Sequence, residues 1–88
     1  MVVIVKRKGH AEPFDEKKLY ASVYASALNA HHNEEDSEEI AQKTLSIVQD
    51  AIAGRENLTS EDLKESTITA LATHDDVQLM YKHHMDIC

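Results

Sequence analysis

The sequence predicts an α+β fold that is mostly helical, with an N-terminal β-hairpin packed on a small four-helix bundle. Three observations lead there. The chain opens on a β-branched run, Val2-Val3-Ile4-Val5, followed by a turn-forming Lys8-Gly9 and a return that ends at Pro13. From Leu19 onward, apolar residues recur every three to four positions, the period of helices with one buried stripe. Finally, 88 residues with 42% hydrophobic content suffice for one small domain spanning 1–88, and no repeat or linker divides them.

The hairpin covers residues 2–14. Pro13 falls at the end of the return strand, where a missing N–H costs least. Strands this short need an apolar surface beneath them. Asp15 is the expected N-cap of a first helix that runs to about His31, with Leu19, Tyr20, Val23, Tyr24, Ala27 and Leu28 on one stripe. His31-His32-Asn33 breaks that pattern. A second helix is expected to start within residues 33–36, its acids lying where the helix dipole favours them. Ile40, Ala41, Leu45, Val48, Ala51 and Ile52 form its inner stripe, and Gly54 stops it. Residues 55–58 read as a connecting loop. Thr59 with Asp62 is a variant capping box opening a third helix to about Thr73, with Leu63, Thr67, Ile68 and Leu71 inward. His74-Asp75-Asp76 reads as a break before a short last helix lined by Val77, Met80, Tyr81, His84 and Met85. The expected core is Leu19, Val23, Ile40, Val48, Leu63, Ile68, Leu71 and Tyr81. A parallel sheet would contradict this assignment.

Charge is unevenly spread. The first 18 residues hold five bases against three acids, a net +2, while residues 19–88 hold four bases against thirteen acids, a net −9. Nucleic-acid binding usually needs a broad basic face and is disfavoured by this acidic body. A compact basic spot suits a small polyanion, the alternative being ordinary solvated lysines. No apolar run approaches the ~20 residues of a membrane span or the core of a signal peptide. The single cysteine, Cys88, excludes an internal disulfide framework and a Cys-rich zinc module. A cytoplasmic location is the expectation. His84 and Cys88 share a helical face beside His83, yet no second ligand pair with zinc spacing accompanies them. No metal-ligating or catalytic residue is expected: Cys88 lacks an orienting partner, and Glu34-Glu35-Asp36 reads as helix-start acids.

The segment VIVKRKGHAEPFDEKKL, residues 3–19, resembles the opening motif of the ATP-cone domain. That domain is the regulatory nucleotide-binding module of many ribonucleotide reductase large subunits and of the nucleotide-sensing repressor of their genes. The matching features are the apolar strand, Lys6-Arg7, Gly9, Glu12-Pro13-Phe14-Asp15 and Lys18-Leu19. Three further helices, Thr59 and Tyr81 also fall in place, so the likeness covers essentially the whole chain. Lys8 stands where the family often has Asp, and the Tyr-Arg ending common in its last helix is absent.

The resemblance implies a regulator that binds ATP or dATP with magnesium and is not an enzyme. Lys6, Arg7 and Lys18 would face the phosphates, Glu12 the base or ribose, and Ile4 and Leu19 the purine. Thr59 would be a further nucleotide contact or only a helix cap. Physical chemistry gives these residues a coherent task. A hairpin over a helix N-terminus gathers Lys6, Arg7 and Lys18 near a positive dipole end, and free N–H groups there would add donors for triphosphate oxygens. The implied partners are an adenine nucleotide and either a second copy or a ribonucleotide-reductase-type protein. The chain would be stand-alone or a domain of something longer, Met1 five residues before Lys6 pointing to a natural N-terminus. The alternative is a protein-interaction module of the same fold that has lost nucleotide binding. DNA binding is further disfavoured because the repressor's zinc-ribbon cysteines are missing.

Overall fold

The computed structural model describes residues 3–5, 11–55 and 57–87. Along them run β1 (Val3–Val5), β2 (Ala11–Pro13), α1 (Glu16–Asn29), α2 (Glu34–Ile52), β3 (Asn57–Thr59), α3 (Ser60–Ala70) and α4 (Asp75–Ile87). The architecture is mostly helical α+β, as the periodicity predicts. β1 and β2 pair antiparallel with Val3 opposite Pro13 and Val5 opposite Ala11. The expected turn at Lys8-Gly9 lies outside the described residues.

The sheet departs from the prediction. Asn57–Thr59, within and just beyond the expected loop, is a third strand that pairs parallel with β1, giving the order β2-β1-β3. The hairpin is therefore part of a mixed sheet. Three residues are too few to display alternation, which is why periodicity does not detect them. The physical need is clear nonetheless. β1 has two edges of backbone donors and acceptors, and β2 satisfies only one of them. A parallel partner requires a long crossover, and α1 with α2 supplies it. Register aligns Glu12, Ile4 and Leu58 across the three strands, so these side chains share one face. Ile4 and Leu58 are buried on that face and Glu12 is half-buried beside them.

Helix ends follow local chemistry. The Asp15 carboxylate caps α1 by accepting from the N–H groups of Lys17 (3.0 Å) and Lys18 (3.3 Å). α1 stops at Asn29, two residues earlier than expected, in a Schellman turn. There His32 N–H donates to the Ala27 carbonyl (3.1 Å), His31 N–H to that of Leu28 (3.0 Å), and His31 takes φ 73°. Asn33 caps α2 through the N–H of Asp36 at 2.7 Å, and Gly54 at φ 85° turns the chain after it. Thr59 and Asp62 form the expected capping box. α3 closes at Ala70 rather than Thr73. The acids Asp75 and Asp76, read as a break, are the first turn of α4, where the dipole favours them.

The core unites β1, β3, α1, α2 and α4 with Leu71, the residue that caps the end of α3: Ile4, Leu19, Val23, Ala27, Ile40, Ala41, Val48, Ile52, Leu58, Leu71, Val77 and Tyr81. Leu63 and Ile68, expected inside, are only partly buried. α1 packs against α2 and α4, while α3 meets α2, α4, β1 and β3. α3 thus rests on α2 and on the sheet, and its stripe is less enclosed than those of α1 and α2. No helix among the described residues is long and apolar enough to cross a membrane.

Candidate functional site

The sequence places its candidate residues around the junction of the sheet with α1. A groove of about 550 Å³ lies there, open to solvent and lined by Glu12, Pro13, Phe14, Asp15, Glu16, Lys17 and Lys18. Two expected site residues, Glu12 on β2 and Lys18 in the first turn of α1, thus share one concavity. Ile4 and Leu19 are each about 95% buried, at 5% and 6% exposure, and belong to the core beneath. Thr59 pairs with Val5 on the far side of β1 and lines neither this groove nor its neighbour. Its hydroxyl accepts from Asp62 N–H at 3.0 Å, so the cap role foreseen for it is realised. Lys6 and Arg7 lie outside the described residues.

The electrostatics of the groove differ in one respect from the expectation of free helix N–H donors. Asp15 occupies the amides of Lys17 and Lys18, and the amide of Leu19 bonds the Asp15 carbonyl at 3.3 Å. The first turn of α1 therefore offers an anion few backbone donors, and its ammonium groups must carry the attraction. The described walls set two lysines against three carboxylates. Asp15 is committed to capping, Glu12 has an interaction of its own within the protein, and Glu16 accepts a hydrogen bond from the Gln49 amide of α2.

Gln49 and Glu16 also line a second groove of about 390 Å³ between α1 and α2, with Lys17, Tyr20, Gln42 and Leu45. Glu16 and Lys17 are common to both concavities. Sequence reasoning did not single out Gln49, because a lone amide 33 positions from its partner carries no local signal. Tyr20 stacks on Tyr24 with ring centroids 6.2 Å apart. Desolvation, then the charges of Glu34 and Glu38, raise the Tyr24 hydroxyl above its ordinary value, and burial does the same for Tyr81. Both phenols therefore stay protonated at neutral pH. Among the described residues, no group of three or more His, Cys, Asp or Glu side chains is arranged to hold a metal ion.

A small mixed sheet that buries one face on helices, with a lysine-bearing groove where the second strand runs into a helix, defines a class: a compact α+β domain with an open groove on its surface. The family model described as the ATP cone domain matches residues 2–83 of the 88. The chain belongs to that family, whose members are regulatory, non-catalytic nucleotide-binding domains. No curated protein matches the chain significantly.

Proposed function

We propose that residues 1–88 act as one ATP cone domain that binds ATP or dATP at the junction of β2 with α1 and reports adenine-nucleotide status in the cytoplasm. The observation that carries this reading is the shared groove of Glu12 and Lys18, beside the strand whose sequence continues into Lys6-Arg7. Lys6, Arg7 and Lys18 supply charge-assisted donors to the phosphates. Glu12 accepts from the ribose or base, and Ile4 with Leu19 forms the apolar floor against the purine. Thr59, across β1 from this groove, contributes to a nucleotide that extends over β1 through its hydroxyl, which accepts from Asp62 and still has a proton to donate. Magnesium arrives on the phosphate oxygens, which with water satisfy its octahedral shell. The responder is a second copy of the chain or a ribonucleotide-reductase-type protein.

Titration with ATP, dATP and GTP by calorimetry or NMR tests the reading. Lys6→Ala and Lys18→Ala should each weaken adenine-nucleotide binding by about tenfold or more, since a charged hydrogen bond contributes about 1.5–3 kcal/mol. Unchanged affinity in both variants, or a wild type that ignores millimolar nucleotide, would replace this reading with the protein-interaction module.

A further inference from the structure

The outer seam between α1 and α2 carries more chemistry than the packing of two helices requires. Tyr20 and Tyr24, one turn apart on α1, are both half-buried, and their rings lie nearly parallel at 11°. Glu34, Glu38, Gln42 and Leu45 follow one face of α2 at helical spacing. Tyr20, Gln42 and Leu45 meet in the groove of about 390 Å³. Farther along, the charges of Glu34 and Glu38 act on the Tyr24 hydroxyl, second to desolvation. The seam thus runs from an apolar notch at Leu45 to an acid-flanked ring at Tyr24.

That acidic end has no cation of its own. Residues 20–42 contain five acids and no lysine or arginine. Among the described residues, neither Glu34 nor Glu38 takes part in a salt bridge. The one lysine in the groove, Lys17, stands about two turns of α1 before Tyr24. Glu34 is explained in part by the helix dipole, but Glu38 lies beyond the first turn of α2. A guanidinium suits this end best: its plane stacks on a phenol ring while its fork of N–H groups pairs with carboxylates. Glu38 and Leu45 are seven positions apart, about 10 Å along α2, which an extended chain covers in about three residues. Gln42 lies between them, an exposed amide able both to donate to and to accept from a peptide backbone.

We propose that the α1–α2 seam docks an extended segment of a partner protein in which an arginine and a large apolar residue stand about three positions apart. The guanidinium stacks on Tyr24 with Glu34 and Glu38 as its counter-ions, and the apolar side chain enters the notch of Tyr20 and Leu45. The inference does not depend on nucleotide binding at the β2–α1 junction.

The test is an NMR titration with the capped peptide Ser-Arg-Ser-Ser-Leu-Ser and with its reversed sequence. One of the two orders should bind and shift the amide signals of Tyr20, Tyr24, Gln42 and Leu45. Lysine in place of the peptide's arginine should weaken binding about twofold to fivefold, the worth of an exposed stacked cation. Glu34→Gln combined with Glu38→Gln should weaken it about threefold to tenfold at low salt, and less at high salt. Asp50→Asn combined with Glu65→Gln removes the same charge from other exposed positions and should change nothing. Tyr24→Leu should abolish the preference for arginine over lysine. An equal loss in the control pair would reduce the effect to general attraction by an acidic protein and overturn the proposal. So would arginine and lysine peptides that bind alike, shifts confined to other surfaces, or no binding of either order at millimolar peptide. Thermal melting of each variant identifies any loss due to unfolding. Should Tyr24→Leu melt early, the exposed glutamate pair and the comparison of arginine with lysine on the wild type decide the case. Nucleotide enters none of these measurements, so their failure leaves the nucleotide reading standing, and its failure leaves this one.

Discussion

His31 occupies the left-handed position of the turn that ends α1, at φ 73°, where glycine is the usual occupant because a Cβ is unfavourable there. The Schellman hydrogen bonds from His31 and His32 hold it in place against that cost. His31→Gly should raise stability by about 0.5–1 kcal/mol, the relief of a left-handed residue less the added freedom of the unfolded chain. Urea unfolding measures it, and a loss of stability would show that the imidazole does something beyond filling the turn. Its neighbour His32 joins the α1–α2 turn to α4 through a 2.8 Å bond to the Asp76 carboxylate. That bond first, and the Val77 N–H next, hold the Asp76 carboxyl below its ordinary value of 3.8. A lowered carboxyl stabilises the fold above its unfolded value and stops doing so as pH falls through the folded one. The stability difference between wild type and Asp76→Asn should thus stay level down to about pH 4 and shrink below it. A difference independent of pH between 2 and 5 would assign the effect to lost geometry instead of charge.

At the scale of elements, β3 decides most. It has three residues, yet Leu58 at its centre is 1% exposed and lies in register with Ile4. The parallel pairing ties the chain after α2 back to its first strand, so Leu58 fastens the sheet to the helices from the far edge. Leu58→Ala should cost about 2–5 kcal/mol, the range for a buried leucine truncated in a core that cannot fully collapse. Chemical denaturation with amide exchange on β1 tests both parts. A cost under about 1 kcal/mol, below that range, or β1 protection that survives unchanged, would mean that the strand is an ornament of the loop. By composition residues 55–58 read as loop, although Asn57 and Leu58 belong to β3. A strand of this length is stabilised by its partner, not by its own sequence.

For the whole molecule, extents of 36 × 26 × 19 Å and a groove open to solvent bear on what bound nucleotide can do. Hydrolysis needs an in-line water, an orienting residue and a site that excludes bulk water. An open surface at a strand–helix junction favours binding over reaction. Regulation then requires that nucleotide prefer one state of the protein over another. A triphosphate on the basic spot would lower the local positive charge and fasten sheet to helix, altering the surface offered to another copy. Light scattering with ATP and dATP should therefore show a change of mass, and a phosphate-release assay should show no turnover. Release that vanishes in Glu12→Gln would refute the regulatory reading. A mass unaltered by either nucleotide would leave a separate partner protein as the responder.

Local sequence by itself determined the helices, their caps and much of the core. Asp15, Asn33, Thr59 with Asp62, and Gly54 act within a few residues of where they stand, and the stripes of α1 and α2 bury Leu19, Val23, Ile40 and Val48 as their spacing dictates. It also carried the motif of residues 3–19, because that segment concentrates charge, turn residues and a cap in one short stretch. Tertiary structure alone decided that Asn57–Thr59 is a strand, that Leu63 and Ile68 of α3 are only half-covered, and that Gln49 reaches Glu16 across 33 positions. Periodicity and capping report energies between near neighbours in the chain. Parallel pairing and a side-chain bond between helices depend on which distant surfaces the packed core brings together, and no local pattern encodes that.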